Sequence, residues 1–388
     1  MREKKSLKHP VSLRNAHSAA RSVVQKSEKK PCCCSSGSCS STERITPYSE
    51  KDGWVKGELR TPPGGVPMVS TNLNFKDVLG MWKVRWGIGR MNYKINPALY
   101  AVGNPDHTSP VLVSANYKLT FDTLRKELAG LDCWILILDT KGINVWCAAG
   151  KGTFGTDELV SRIAKIGLSK IVSHKTLILP QLSAPGISAH EVTKQTGFSV
   201  VYGPVRARDI KAFLGGSSTA TEEMRTVRFT VWDRLILTPM ELVPAAKTSL
   251  MVFGVLFLIN LFAARPFGLA DFVAYVGAVV MGTVLTPLLL PLIPGRAFAW
   301  KGWLLGLLWT TGFAWLNGWF ASKLLLLAIG YLLVLPSLSA YLAMNFTGSS
   351  TYTSFSGVIK EMKAAVPMIV LSSAAGIVLV LVTAFTVS

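Results

Sequence analysis

Between residues 70 and 243 the chain alternates short apolar runs with amphipathic stretches, and beyond residue 248 it becomes almost wholly apolar. "PVLVS" (110–114), "CWILILDT" (133–140), "TLILP" (176–180) and "FSVVYG" (198–203) predict strands. "TFDTLRKELAG" (120–130), "TDELVSRIAKIG" (156–167), "SAHEVTKQTG" (188–197) and "RARDIKAFL" (206–214) predict the helices between and after them. Thr156 reads as an N-cap and Gly167 as a helix stop. Nearly continuous apolar strands alternating with helices predict an α/β, Rossmann-like domain with a parallel sheet covered on both faces. Ligands of such sheets bind beyond the carboxyl ends of the strands. The stretch at 144–152 follows the strand at 133–140 and is therefore a candidate for that crevice.

The apolar remainder contains five segments long enough to cross a bilayer, at 249–264, 269–292, 298–319, 322–345 and 364–386, a crossing needing about 20 apolar residues. The expected organisation is a disordered basic tail over 1–65, an α/β domain over 66–245 and a transmembrane helical domain over 246–388. The formal net charge is +19, with most of the excess before residue 248. That places the α/β domain on the cytoplasmic side of an inner, multi-pass membrane protein. Inner loops would carry Arg296, Lys301, Lys360 and Lys363, and outer loops Arg265 and Lys323. The basic residues are scattered and no nucleic-acid motif appears, so a nucleic-acid partner is not expected. The spans are nearly free of acids, which argues against ion-coupled transport. No repeat of fixed period is evident, and no secretory signal is read at the start of the sequence.

Of six cysteines, Cys32, Cys33, Cys34 and Cys39 cluster in the basic tail, where they could bind a soft metal ion or be incidental. Cys133 reads as a structural thiol at a strand start. Cys147 stands in "NVWCAAGKG" (144–152). An inert buried thiol is the ordinary reading of such a residue. His174 and His190 exist, but nothing marks either as a catalytic partner. Zinc-ligand spacing and a CxxC pair are both absent from the globular part. Ala148, Ala149, Gly150 and Gly152 have little or no side chain and would let a large planar cofactor approach the backbone. A cysteine thiolate beneath such a cofactor would ligate its metal.

"NVWCAAGK" (144–151) resembles the signature of the mercury-methylation corrinoid protein family, HgcA. The segments 94–125 and 200–214 look like stretches this family shares with the corrinoid iron–sulfur protein of acetyl-CoA synthesis. The resemblance runs over roughly residues 70–388, and the long Cys-bearing tail departs from it. It implies a cobalamin or related corrinoid with Cys147 as the lower ligand of cobalt. Asn144, Val145, Trp146, Cys147, Ala148, Ala149, Gly150, Lys151 and Gly152 would form a cap beneath the ring. Gln181, Leu182 and Ser183, with Gly203, Pro204, Val205 and Arg206, would hold its edge and tail. It further implies a corrinoid-dependent methyltransferase that passes a methyl group from cobalt to Hg(II), giving methylmercury. The methyl would come from methyltetrahydrofolate, by way of a separate methyltransferase. A small ferredoxin, HgcB, with two 4Fe–4S clusters would be the reducing partner. Cys32, Cys33, Cys34 and Cys39 are further candidate Hg(II) ligands. The alternatives are a membrane-anchored corrinoid methyl carrier of one-carbon metabolism and a non-enzymatic membrane protein that handles metal.

Overall fold

The computed structural model describes residues 53–216, 218–321, 324–353 and 355–386. The tail cysteines Cys32, Cys33, Cys34 and Cys39 lie outside these residues. The described chain opens with a hairpin, β1 (Val55–Thr61) and β2 (Gly64–Val69), paired antiparallel with Thr61 opposite Gly64. This hairpin straddles the boundary expected at residue 65. Its Pro- and Gly-rich turn and the polar face of β1 carry no apolar run, which is the signal the sequence reading relied on.

Helix α1 (Phe75–Arg85) follows, capped by Asn74, whose side chain accepts from the Asp77 amide. The central strands are β3 (Leu99–Val102), β4 (Val111–Ala115) and β5 (Cys133–Leu138), every residue of which is buried. Helix α2 (Lys118–Glu127) joins β4 to β5. From β5 the chain passes through α3 (Val145–Lys151) and α4 (Thr156–Ile166) to β6 (Thr176–Leu179). Helix α5 (Ala189–Thr196) then leads to β7 (Ser199–Tyr202) and α6 (Ile210–Gly215). Gly155, not Thr156, is the N-cap of α4; the Thr156 hydroxyl instead accepts from the Ser188 amide across the loop to α5.

The seven strands form one sheet in the order β1-β2-β3-β5-β4-β6-β7. It is mixed rather than parallel: β5-β4-β6-β7 run parallel, whereas β3 is antiparallel to β5. A parallel neighbour requires a crossover, usually a helix. The loop at 103–110 contains none, so the chain simply turns back between β3 and β4. Both faces are covered. Residues of α3, α4 and α5 bury against one face, and residues of α2 and α6 with Trp54 against the other.

Beyond α7 (Glu222–Arg225) and α8 (Val231–Leu237), the chain is helical. Helix α9 (Pro239–Asn260) starts well before the expected residue 249. Helix α10 (Leu269–Val280) continues through a π-helical segment, Met281–Leu285, into α11 (Thr286–Leu289). Pro287, without an amide hydrogen, and the Thr286 hydroxyl, which donates to the Met281 carbonyl, account for the widened turn. Helices α12 (Phe298–Leu316), α13 (Leu325–Asn345) and α14 (Phe355–Thr386) complete the region. Four stretches are long and apolar enough to cross a membrane: Val231–Asn260, Leu269–Leu289, Leu325–Ser349 and Ser356–Thr386. The expected fifth, α12, is helical but diluted by tryptophans, glycines and Lys301. Lys301 is not in a loop as expected. It is buried in the first turn of α12, and its amine donates to the Leu290 carbonyl just past α11.

Candidate functional site

The winding of the sheet reverses at β4. The chain leaves β4 for β5 through α2 on one face, then crosses back to β6 through α4 on the other. The loops after β4 and β6 therefore diverge at the carboxyl ends of their strands and open a crevice between them. A cavity of about 390 Å³ occupies it, walled by Ser114 near the end of β4 and Tyr117 just after it, Leu179 and Pro180 at the end of β6, and Gly203 after β7. The volume suits a small group or the tail of a larger one, being near the lower end of ligand pockets.

Helix α3 forms one rim. Asn144 caps it by accepting from the Cys147 amide at 2.9 Å. Gly152 ends it in the left-handed conformation at φ 78°, where a side chain would be strained. The amides of Thr153 and Phe154 then bond back to the Ala148 carbonyl, and the fully buried Phe154 anchors the end. Ala148 and Ala149 face the core, while Gly150 and Lys151 are exposed. Cys147 lies three and four residues before those two and so shares their outward face. Its thiol is free and half-buried, and a side chain added at Gly150 would meet nothing within 4 Å. The helix thus offers one sulfur on an outward face where Gly150 carries no side chain and Lys151 lies one turn further on.

Asn144, Val145 and Trp146 line the cavity, whereas Cys147 does not. The thiol is thus the next residue along α3 from the cavity lining. The loop after β6 packs close under α3, since a Cβ at Gly186 would fall 3.0 Å from the Ala149 Cα. In that loop Leu182 lines the cavity, the buried Ser183 hydroxyl donates to the Pro180 carbonyl, and the buried Gln181 Oε1 has no hydrogen-bond partner. Pro204 and Val205 line the cavity alongside Gly203. Arg206 does not. Its guanidinium is held by Asp233 of α8, at 2.7 and 3.3 Å, so it is already engaged away from any tail phosphate.

Two residues with no role in the sequence reading complete the wall. The Tyr117 hydroxyl is buried without a hydrogen-bond partner, and burial pushes its pKa up, opposed by Arg90 and Arg85. Arg85 lines the same cavity, and burial pulls its guanidinium down, opposed by the Tyr117 oxygen. No sequence signal pairs Arg85 with Tyr117, because only the packing of α1 beside the β4–α2 turn brings them together.

The other thiol is different. Cys133 is fully buried in β5, and burial, aided by Asp132, pushes it up to about 12. His174 sits at the amino end of β6, its Nε2 2.9 Å from the Ser109 carbonyl, at the far end of that strand from the cavity. Among the described residues no group of three or more His, Cys, Asp or Glu gathers into a metal-binding cluster.

Residues 78–214, from within α1 to within α6, match the family model CdhD, described as the CO dehydrogenase/acetyl-CoA synthase delta subunit. The chain is similar to the acetyl-CoA decarbonylase/synthase complex subunit gamma of Methanocaldococcus jannaschii, 32% identical over 122 residues, which is 31% of this chain and 25% of that protein. It is likewise 32% identical to the gamma subunit of Methanopyrus kandleri over 123 residues, covering 31% of this chain and 26% of the relative. The gamma 2 subunit of Methanosarcina thermophila is 36% identical over 115 residues, 29% of this chain and 24% of the relative. The chain thus spans about a quarter of the length of these curated relatives. The likeness reaches the acetyl-CoA side of the expected resemblance and does not single out mercury methylation. The family match lies wholly within the α/β domain, ahead of the four membrane-length helices.

Proposed function

We propose that this chain is a membrane-anchored corrinoid-dependent methyltransferase whose acceptor is Hg(II). The observation that carries the reading is Cys147, a free and half-buried thiol on the outward face of α3, next along the helix from the cavity-lining Trp146. A soft thiolate suits cobalt. The cavity is too small for a whole corrinoid but accommodates a tail, and the unpaired Tyr117 hydroxyl on its wall is a polar group awaiting a ligand. Asn144 would orient the helix, Cys147 would ligate the metal from below, and Leu182, Gly203, Pro204 and Val205 would enclose the tail. Bound there, the corrinoid would supply the metal that carries the methyl group, and a thiolate ligand would push electron density toward an electrophilic acceptor such as Hg(II). A small ferredoxin with two 4Fe–4S clusters and a methyltetrahydrofolate-linked donor are the partners that go with this reading. The α/β domain would face the cytoplasm.

A second reading, a membrane-anchored methyl carrier of one-carbon metabolism, is favoured by the relatives, whose names place them in acetyl-CoA decarbonylase/synthase complexes. The two readings part at Cys147, since a carrier does not need a strong lower ligand. The test uses the full chain in detergent, reconstituted with cobalamin, beside Cys147→Ala. A sulfur-ligated absorption spectrum that the variant loses, together with methylmercury formed only by the native protein, is the expected result. Identical spectra in both proteins would remove the ligand role. Methyl uptake that survives in the variant, with no methylmercury from either protein, would favour the carrier.

A further inference from the structure

Helix α1 has two unlike faces. The inner one is fixed: Val84 is buried, and the Asp77 carboxylate takes 2.7 Å bonds from Lys118 and Arg125. The outer face and the turn beyond it leave Phe75 79%, Trp82 63%, Ile88 59% and Met91 73% exposed. Large apolar side chains exposed together on a folded domain mark an interaction surface. The charges on this stretch are as one-sided as its apolar residues. Lys76 and Lys83 are exposed and Arg90 is half-buried, while Asp77, the only acid between residues 75 and 91, is spent inward.

The position of this surface identifies its partner. Arg90 Nη1 lies 3.1 Å from the Met240 sulfur, in the first turn of α9, and α9 belongs to the first of the four membrane-length stretches. From Met240 to Lys247, the last charge before the uninterrupted apolar part of α9, the helix rises about 10 Å at 1.5 Å per residue. That is on the scale of the headgroup layer, about 5–8 Å on each side of the hydrocarbon core. Helix α8 enters the same helix and leaves Trp232 66% exposed, while Arg206–Asp233 ties α8 to the α/β domain.

We propose that α1 and the turn to Met91 form an interfacial anchor lying in the headgroup layer of an anionic leaflet. Phe75, Trp82 and Met91 would enter the acyl boundary, with Lys76 and Lys83 toward lipid phosphates, as amphipathic basic helices with aromatic residues do. Because Arg85 of the same helix lines the cavity, the anchor would also hold the mouth of the site at a fixed height above the bilayer.

The experiment is photo-crosslinking of the full chain, reconstituted in vesicles of phosphatidylcholine and phosphatidylglycerol, with benzoylphenylalanine in place of Trp82 or, separately, of Met91. Gln195, exposed on α5 against the opposite face of the sheet, serves as the negative position, and Leu258, exposed in α9, as the positive one. Lipid adducts from Trp82 and Met91 and none from Gln195 are expected. Their yield should fall several-fold when phosphatidylglycerol is omitted or when Lys76→Glu and Lys83→Glu are introduced together. Failure of both positions to capture lipid in vesicles where Leu258 does so would overturn the proposal. So would adducts in native membranes that go to another polypeptide and not to lipid, which would assign the surface to a protein partner.

Discussion

Two buried arginines show how differently the α/β domain and the helical region accommodate charge. Arg125 of α2 is fully buried and meets opposite charge: Asp77 at 2.7 Å and Asp122 at 2.9 Å, with Lys118 bonded to both acids. It also donates to the Ser70 and Asn72 carbonyls, so one guanidinium ties α1, α2 and the end of β2 together. Arg234 of α8, just 3% exposed, has no acid partner among the described residues; it donates to the carbonyls of Phe229 at 2.8 Å and Leu288 at 3.0 Å. Lys301 does the same at Leu290. Leu288 and Leu290 sit at the end of α11, where a helix leaves carbonyls unsatisfied and its dipole is negative. Arg125 is thus held by countercharges, whereas Arg234 and Lys301 are held by carbonyls, including those at the end of α11; elsewhere in the helical region Arg265 does pair with Asp271. Small residues do the rest there: a Cβ at Gly302 would fall 2.6 Å from the Ser339 carbonyl, so α12 and α13 meet nearly backbone to backbone.

This contrast can be broken at either end. Arg125→Ala should have the largest effect, about 3–5 kcal/mol, because it strands two buried carboxylates with one lysine. Thermal unfolding of the full chain in detergent, followed by circular dichroism, would measure it. A loss below about 1 kcal/mol would mean that the network does not hold α1. Arg234→Met should cost less, about 1–3 kcal/mol, since it leaves carbonyls rather than charges without partners. If it proves as costly as Arg125→Ala, the distinction between the two regions fails. Asn144→Ala removes a cap and should cost about 1 kcal/mol. It should also weaken any sulfur-ligated cobalamin spectrum, and an unchanged spectrum would show that α3 needs no cap to present Cys147.

The smallest effect is acid lability of the network. Burial alone would raise the Asp77 carboxyl, but bonds and charge from Lys118, with the Asn74 amide and Arg125, bring it below its ordinary 3.8. A carboxyl lowered by folding contributes stability that is complete above its unfolded value and is lost as pH falls through the lower folded value. Unfolding midpoints should therefore fall below pH 3.8 in the native chain, and less steeply in Asp77→Asn. Parallel curves for the two proteins would place the acid response elsewhere.

Much of the α/β domain was legible because its periodicity is strong. The strands at β4, β5, β6 and β7 are apolar runs, and Gly167 and Gly197 end their helices in the left-handed conformation. Helix α3 is bracketed by Asn144 as N-cap and Gly152 as a left-handed stop, while its expected place beneath a ring came from the resemblance alone. The hairpin of β1 and β2 was not legible, since its stability comes from pairing at the sheet edge and not from its own apolar pattern. Arg206 has a partner that the sequence could not show. A basic residue at a turn resembles an anion ligand until Asp233, from a distant helix, is seen to hold it.

By itself the sequence determined which segments bury apolar surface, where the chain becomes membrane-like, and that one cysteine stands among residues too small to cover it. Those are local properties, set by side-chain volume, polarity and period. Only the tertiary structure decided that β3 runs against β5, that Tyr117 and Arg85 share one cavity wall, and that Cys147, unlike Asn144, Val145 and Trp146, lies outside the cavity lining. It also decided that Arg90, in the turn beyond α1, meets Met240 at the start of α9. Each of these depends on residues far apart in the chain, and their meeting is fixed by the winding of the sheet and the packing of helices on its two faces.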